Sequence, residues 1–268
     1  MNQPKNALPE VDAPLLHRCD ARGVHVLTLN TPARFNVLGE SMLGALESAF
    51  EQVRADSAAR VVVLGAAGKA FCAGHDLKEM KARTDLDYFQ SLFARCSSFM
   101  LAIQQLPVPV IARVQGLATA AGCQLVAQCD LAVAVDTARF GVNGIDAGLF
   151  CATPSVPLVR NMAPKLAMEM LVTGEFITAA EAKVRGMVNR VVEPSQLDAE
   201  VDRLVDAILS KPREALAMGK HLFYLQREMG VAGAYQLASQ TMAFNMVHPV
   251  AQEGVQAFID KREPQWPT

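Results

Sequence analysis

The sequence lacks several features that mark common classes of protein. No run of basic residues exceeds two, and the formal net charge of the 268 residues is −2, which argues against nucleic acid as a partner. No apolar run approaches the roughly 20 residues that a membrane-spanning helix needs, so we expect no membrane partner. The chain also has no internal repeat and no low-complexity segment.

Patterns for metals and disulfides are missing as well. The six cysteines form no Cys-x-x-Cys pair, and no spacing of His and Cys fits a zinc site, so the sequence predicts no metal. Several cysteines lie in apolar company, which predicts the reduced, small, buried side chains of a cytosolic protein. We therefore expect a cytoplasmic location.

The first 14 residues contain three prolines and a single basic residue, Lys5. This composition predicts a flexible arm at residues 1–14 and does not fit a secretory signal. A mitochondrial transit peptide is rich in arginine, and this arm is not. If the source is eukaryotic, a mitochondrial location stays open without a clear transit peptide to support it.

The remaining chain has ample material for a core, since 51% of its residues are hydrophobic. Strand and helix patterns alternate along its first part, which predicts βαβ units and an α/β fold with a parallel sheet. The expected elements are a hairpin of strands at 15–19 and 24–29, a helix at 41–54, a buried strand at 61–65 and a helix at 85–105.

From Pro154 onward the pattern becomes helical. Thr178-x-x-Glu181 predicts a capping box, and Ser195-x-x-Asp198 predicts a second helix start. Further helices are expected at 212–227, 231–246 and 249–260. The predicted domains are the arm (1–14), an α/β core (15–193) and a helical C-terminal region (194–268).

The stretch from Val108 to Thr153 organises the predicted core. A strand at Val110–Val114 leads through a small-residue loop at Leu117–Gly122 into a helix that starts near Cys123, and a second strand follows at Leu131–Val135. A strand, a Gly/Ala loop and a helix amino end aim backbone N–H groups at one point. Such a point attracts an anion or a developing negative charge.

Four strings in this order resemble one known family. FCAGHDLKEM (71–80), GLATAAGCQLVAQCDLAVA (116–134), ARFGV (138–142) and EGVQAFIDKR (253–262) are similar to the enoyl-CoA hydratase/isomerase (crotonase) superfamily. The strings GLATAAGCQLVA and GLFCATP resemble a narrower branch, the third of the enoyl-CoA-hydratase-domain-containing proteins. The resemblance implies a crotonase (ClpP-like) fold with ββα repeats and a helical C-terminal trimerisation region.

The resemblance also implies a function in fatty acid metabolism, as a lyase or isomerase that acts on an acyl-CoA (enoyl-CoA) thioester. Coenzyme A would enter as part of the substrate, with no tightly bound cofactor. By motif match, the backbone N–H groups of His75 and Ala121 would form an oxyanion hole that stabilises the enolate. Family members are commonly homo-oligomers, either trimers or dimers of trimers, and we expect one of these states here.

Two carboxylates that hydratases of the family use are replaced in this sequence. The first glutamate position holds Gln124, and the second holds Gly144. An amide cannot accept a proton from water, and glycine has no side chain, so efficient hydration is not expected. Asp146 is a candidate substitute if its segment is extended, because residues 144 and 146 would then face the same side. A surface Asp146 is the other reading, and a catalytically silent acyl-CoA-binding or assembly subunit is the alternative function.

Other contacts with coenzyme A are implied by the resemblance alone. Arg34 matches a basic position near the phosphates, and Ala73 and Asp76 match the loop that borders the adenine. Phe258 and Lys261 match C-terminal positions that a neighbouring subunit often contributes. Arg34 and Lys261 could equally be solvated surface groups. The imidazole of His75 could face the site or be structural, and Cys151 and Thr153 are possible pocket-lining residues.

Overall fold

The structure is a computed structural model that describes residues 13–267, so nearly all of the predicted arm lies outside the described residues. Strands and helices alternate through the first part, as predicted for an α/β fold. The strands are β1 (Leu15–Cys19), β2 (Val24–Leu29), β3 (Val61–Ala66), β4 (Ala70–Cys72), β5 (Val110–Val114), β6 (Leu117–Thr119), β7 (Leu131–Val135), β8 (Arg139–Gly141), β9 (Ile177–Thr178) and β10 (Arg190–Val192).

Six strands form the larger sheet, in the order β1-β2-β3-β5-β7-β10. β1 and β2 form the predicted antiparallel hairpin, and each later neighbour in this sheet is parallel. Every residue of β3 is buried. This explains why its sequence, VVVLGA, is a continuous apolar run, since a strand that is covered on both faces needs no polar side.

Four short strands form a second sheet, in the order β4-β6-β8-β9. β4, β6 and β8 are parallel, and β9 is antiparallel to β8. The sequence patterns place loops at 66–74 and 117–122, and each of these contains a strand of three residues instead. Three residues are too few for a readable alternation of apolar and polar side chains.

The helices cover the sheets and continue as the C-terminal region. They are α1 (Glu40–Ala55), α2 (Leu77–Ala82), α3 (Leu86–Gln105), α4 (Ala121–Gln128), α5 (Ala152–Asn161), α6 (Pro164–Thr173), α7 (Ala179–Val184), α8 (Leu197–Leu209), α9 (Arg213–Gln226), α10 (Val231–Val247) and α11 (Pro249–Ile259). A strand of the larger sheet, a strand of the smaller sheet and a helix recur as β3-β4-α2, β5-β6-α4 and β7-β8-α5, which are the expected ββα repeats.

Local signals explain where the helices begin and end. Asp85 caps α3 by accepting a hydrogen bond from the Tyr88 N–H, and the predicted capping box of Thr178 and Glu181 opens α7. Ser195 does not cap a helix: a short 3-10 turn at Pro194–Gln196 precedes α8, and Gln196 is the cap residue without a side-chain bond. Pro194 favours that tighter turn because its ring fixes φ.

The C-terminal helices leave much apolar surface open. Within the described chain, α9 and α10 contain no fully buried residue. Large apolar side chains on and near them are exposed: Phe223, Leu225, Val231, Tyr235, Met242, Phe244 and Val247. In residues 13–267 no helix has both the length and the apolar character that crossing a membrane requires.

Candidate functional site

The candidate site lies where β4 and β6 end side by side. These strands are parallel neighbours, so the loops that follow them leave from the same edge of the smaller sheet. A β-carbon at Gly122 would lie 2.1 Å from the carbonyl oxygen of Cys72, so only glycine permits the contact. A β-carbon at Gly74, whose φ is +90°, would lie 3.2 Å from the backbone nitrogen of Ala121. The two glycines therefore bring the loops together and keep the Ala121 N–H accessible.

Ala120 joins β6 directly to α4 through a strained backbone conformation. Its φ is 49° and its ψ is −121°, a combination that a residue with a β-carbon rarely adopts. The Ala120 N–H donates to the Gly141 carbonyl at 2.9 Å, and its own carbonyl accepts from the Gln124 N–H at 3.0 Å. These two bonds hold the turn that starts α4 at Ala121, two residues before the predicted start near Cys123.

The N–H groups predicted to form an oxyanion hole are free to bind a ligand. Among residues 13–267, the backbone N–H groups of His75 and Ala121 donate to no hydrogen-bond acceptor. The Ala121 N–H is the first of α4, so it has no partner within the helix and lies at the positive end of the helix dipole. Both groups can therefore donate to an external oxygen.

Replacing Ala120 by glycine is expected to raise the free energy of unfolding by about 1 kcal/mol. The substitution relieves the strain of a positive φ, about 1–3 kcal/mol, and costs about 0.5–1 kcal/mol in backbone entropy. Urea unfolding of the purified chain measures the change. Ala94→Gly, on the exposed face of α3, is the matched control and should lower stability by about 1 kcal/mol. A loss of stability in Ala120→Gly would show that the turn carries no strain.

The loop after β2 holds β4 and the loop that follows it in place. Asn36 is fully buried, and its amide donates to the carbonyls of Ala67 and Ala70, both at 2.9 Å. The Leu38 N–H then donates to the Gly74 carbonyl at 2.8 Å. The sequence analysis did not select Asn36, because its role depends on carbonyls that lie about 30 residues further along the chain.

The imidazole of His75 is held away from bulk water. Its Nδ1 lies 3.2 Å from the Leu38 carbonyl oxygen, so Nδ1 carries the proton and donates. The ring packs edge-on against Phe93, with 5.5 Å between ring centroids. Within the described chain Nε2 is buried without a hydrogen-bond partner. Burial lowers the pKa of His75, against the bond to Leu38, which raises it. His75 is therefore a neutral base with one unpaired nitrogen.

A cavity of about 370 Å³ opens beside α4, and Gln124 lines it. Gln124 is 3% exposed, and its Oε1 has no hydrogen-bond partner among the described residues. The other lining residues come from α3, α4, α5 and the end of α9: Ser97, Met100, Leu101, Gln104, Gln128, Thr153, Val156, Pro157, Arg160, Tyr224, Arg227 and Glu228. Gln124, which the resemblance aligns with the first glutamate of the hydratases, therefore faces a cavity with several polar side chains, and Thr153 lines the same cavity.

Gly144, which the resemblance aligns with the second glutamate of the hydratases, is enclosed by its neighbours. A β-carbon at Gly144 would lie 2.6 Å from the carbonyl oxygen of Leu149 and 2.8 Å from Cys151 Sγ. Cys151 is buried, and burial raises the pKa of its thiol, which disfavours the nucleophilic thiolate. The thiol thus occupies the space into which a side chain at residue 144 would extend.

Asp146 is the clearest departure from the sequence-based expectation. Residues Asn143–Ala147 form a 3-10 turn and not an extended segment, so the assumption that residues 144 and 146 share a face is wrong. The Asp146 side chain is exposed and lies against Gly174: a β-carbon built at Gly174 would lie 3.0 Å from Asp146 Oδ1. It is absent from the described lining of the cavity. Turn-forming residues such as Asn143, Asp146 and Gly148 explain why the segment curls.

The residues assigned to coenzyme A separate into two groups. Arg34 forms an ion pair with Asp76, and Asp76 caps α2 by accepting hydrogen bonds from the N–H groups of the next turn. The Ala73 N–H donates to the carbonyl of Phe35, the residue after Arg34. Arg34, Ala73 and Asp76 therefore lie close together. Phe258 is 85% exposed at the end of α11, Lys261 follows it, and neither lines the described cavity.

Polar groups that the sequence analysis did not select lie close to the site. Thr119 Oγ1 donates to Asn143 Oδ1 at 2.6 Å, which ties β6 to the 3-10 turn. Lys220 Nζ lies 2.6 Å from Asp130 Oδ2, and the Tyr224 hydroxyl donates to Asp130 Oδ1 at 2.7 Å. Burial and the Asp130 carboxylate raise the pKa of Tyr224, so the phenol stays protonated. No local motif marks these pairs, because each joins elements that are distant in sequence.

Comparison with known proteins identifies the class. The sequence profile of the enoyl-CoA hydratase/isomerase family matches residues 20–268, and the chain belongs to this family. The rat mitochondrial enoyl-CoA hydratase domain-containing protein 3 is 43% identical, with 96% of this chain and 86% of that protein covered. The human protein of the same name is 42% identical.

Solved structures confirm the fold. A Mycobacterium smegmatis enoyl-CoA hydratase superposes with a TM-score of 0.94 and is 59% identical, covering 95% of this chain and 99% of that one. The human enoyl coenzyme A hydratase domain-containing protein 3 superposes with a TM-score of 0.91 at 42% identity, covering 94% of this chain and all of that one. The predicted crotonase fold and the resemblance to this branch are therefore confirmed.

Proposed function

We propose that this chain binds acyl-CoA thioesters and stabilises the enolate of the thioester carbonyl. The carrying observation is the pair of free N–H groups, those of His75 and Ala121, on two loops that glycines hold together. An enolate oxygen needs preorganised donors, and one such donor contributes about 3 kcal/mol in comparable sites. Coenzyme A is part of the substrate in this proposal, and no tightly bound cofactor is needed.

Ordinary hydration is expected to be weak. Gln124 cannot take a proton from water, and Gly144 has no side chain to deliver one to carbon. The reactions that remain are those that an enolate-stabilising site supports with altered acid/base groups: isomerisation, decarboxylation, thioester hydrolysis or residual hydration. In the loops at 73–75 and 120–124, His75 is the one imidazole, and burial, which lowers its pKa, keeps it neutral with Nε2 unpaired, so we assign it the proton-accepting role.

A second candidate function is a catalytically silent acyl-CoA-binding or assembly subunit. Its support is the closed position at Gly144, where Leu149 and Cys151 leave no room for a side chain. Such packing keeps the scaffold and the binding loops while it removes one catalytic group. The two functions share the binding step and differ in turnover.

Calorimetric titration tests the binding step. We expect crotonyl-CoA and acetyl-CoA to bind more tightly than free coenzyme A, because only the thioesters present a carbonyl to the two N–H groups. Arg34→Gln should weaken the binding of all three ligands, since the substitution removes the charged, exposed guanidinium beside Asp76.

The control has to be a residue outside the site and without bonds to its loops. Gln115→Glu is unsuitable as a control because Gln115 bonds to Gly68 and Ala70. Arg54→Gln, on the exposed side of α1, is the matched control. Equal affinity for free coenzyme A and its thioesters would contradict the proposal.

Turnover separates the two functions. The purified chain is incubated with a panel of saturated, unsaturated and branched acyl-CoA thioesters, and products are identified by mass spectrometry. Formation of an isomer, a decarboxylated product or a free acid supports the enzyme. Binding without any turnover across the panel supports the silent subunit.

We further propose that the chain forms a homotrimer or a dimer of trimers. The support is the exposed apolar surface of α9 and α10, which exceeds what a solvated helix pair normally leaves open. Light scattering coupled to size exclusion measures the mass.

The rat and human relatives carry "mitochondrial" in their names. For this chain a cytoplasmic location stays a prediction, which fractionation of the source cells would check.

A further inference from the structure

A cluster of metal-ligating side chains lies at the hairpin of β1 and β2, away from the candidate thioester site. Cys19, His25 and Asp56 each offer one ligand atom, and in the described residues these atoms lie within 4.8 Å of one another. His25 Nε2 is 3.5 Å from Cys19 Sγ and 3.0 Å from Asp56 Oδ2. His25 stands near the start of β2 and pairs with Val62 near the start of β3, whereas the candidate-site loops at 73–75 and 120–124 follow β4 and β6, beyond the carboxyl ends of β3 and β5.

A second histidine contacts the other nitrogen of His25. His17 Nε2 lies 2.9 Å from His25 Nδ1, with 5.2 Å between the two ring centroids. With a metal ion on His25 Nε2, Nδ1 carries the proton and donates to His17 Nε2, the arrangement expected for a ligand ring that a second-shell partner orients.

The Nε2 atom of His25 contacts two further metal-ligating groups. The Asp56 carboxylate oxygen Oδ2 is 3.0 Å from this nitrogen, and Cys19 Sγ is 3.5 Å from it. A histidine–aspartate hydrogen bond makes no use of the sulfur atom, whereas a metal ion bound by all three groups does.

The ligand types and the two distances from His25 Nε2 are close to those of a zinc site. Tetrahedral zinc, with bonds of about 2.3 Å to sulfur and about 2.0 Å to nitrogen and oxygen, separates S from N by about 3.6 Å and N from O by about 3.3 Å. One thiolate, one imidazole and one carboxylate form a donor set that suits this borderline ion. Cys19 is exposed, so solvent can supply the ion and a fourth ligand. We propose that Cys19, His25 and Asp56 bind one zinc ion, with His17 as the partner that orients His25.

The site would tie the hairpin of β1 and β2 to the end of α1 through one ion. Cys19 ends the edge strand β1, His25 lies on β2, and Asp56 is the cap residue at the end of α1. The sequence analysis expected no metal, because the ligands do not follow a zinc spacing. Here the fold brings together a strand pair and a helix end that are about 30 residues apart.

Titration of the full chain with zinc chloride, followed by calorimetry, tests the site. We expect one ion per chain and a rise in the melting temperature of the wild type, because a ligand that binds only the folded state stabilises it. Cobalt(II) is the second probe, and its thiolate charge-transfer absorption should be present in the wild type and absent in Cys19→Ser. Cys19→Ser and His25→Asn should each weaken zinc binding at least about 100-fold, and His17→Leu about 10-fold to 100-fold.

His221→Asn is the matched control, since His221 is an exposed histidine on α9. It should retain the affinity of the wild type. Melting of the metal-free variants shows whether each still folds, and the cobalt spectrum of His17→Leu remains informative because that variant keeps all three ligands. Absence of zinc binding in the wild type, or equal affinity in Cys19→Ser and the wild type, would overturn the site and leave a direct hydrogen bond between His25 and Asp56.

Discussion

Replacing Gln124 by glutamate is expected to raise kcat/KM for hydration of crotonyl-CoA by about 10²-fold. The side chain already faces a cavity and stands about one turn of α4 after Ala121, so a carboxylate there can take the proton from water that an amide cannot. A positioned base contributes about 10² to 10⁴ in rate, and the lower figure applies because the second carboxylate stays absent. Loss of the enoyl absorbance measures the reaction.

Gln128→Glu is the matched control for this gain. Gln128 lies one turn further along α4, lines the same cavity and is also buried, but its amide donates to the Met100 carbonyl at 2.9 Å. A carboxylate at Gln128 should give no hydration. Equal rates in the two variants, or no gain in Gln124→Glu, would show that position 124 does not face the reacting carbon.

Restoring the second carboxylate is not expected to add to this gain. A β-carbon at Gly144 would meet the backbone oxygen of Leu149 at 2.6 Å, and backbone cannot yield as the end of a side chain can. From the sequence alone, Gln124→Glu combined with Gly144→Glu would be the natural way to recover a hydratase. The structure predicts that the double variant loses stability and gains nothing over Gln124→Glu.

Lys220→Met is expected to lower the free energy of unfolding by about 3–5 kcal/mol. The Lys220 side chain is 8% exposed, and its ammonium binds Asp130 and the carbonyls of Ile103 and Val108. Burial lowers the pKa of Lys220, and the Asp130 carboxylate opposes this shift. Removing the ammonium leaves a buried carboxylate uncompensated, which is the costly way to break such a pair. Denaturant unfolding measures the loss.

Two comparisons make this expectation specific. Lys220→Met combined with Asp130→Asn should cost less than Lys220→Met alone, because the unpaired charge is then gone. Lys165→Met, on the exposed face of α6, should change stability by less than about 0.5 kcal/mol. A Lys220→Met chain as stable as Lys165→Met would mean that water reaches Asp130 in solution.

Much of the scaffold could be predicted because its signals are local. The continuous apolar run of β3, the capping box of α7 and the Asp85 cap of α3 are each contained in a few neighbouring residues. The strands of three residues were missed, since they carry too little pattern to read. Of the two readings of Asp146, the exposed surface residue agrees with the structure, and the extended segment that the other reading needs is a 3-10 turn instead.

The sequence by itself determined the α/β class, the longer strands and helices and the family, because residue identity and short-range periodicity suffice for these. The tertiary structure decided how His75 and Ala121 present free N–H groups, why Gly144 cannot accept a side chain, and how Lys220 reaches Asp130. Each of these depends on distances between atoms far apart in the chain. Packing sets those distances to a fraction of an ångström, and no local pattern records them.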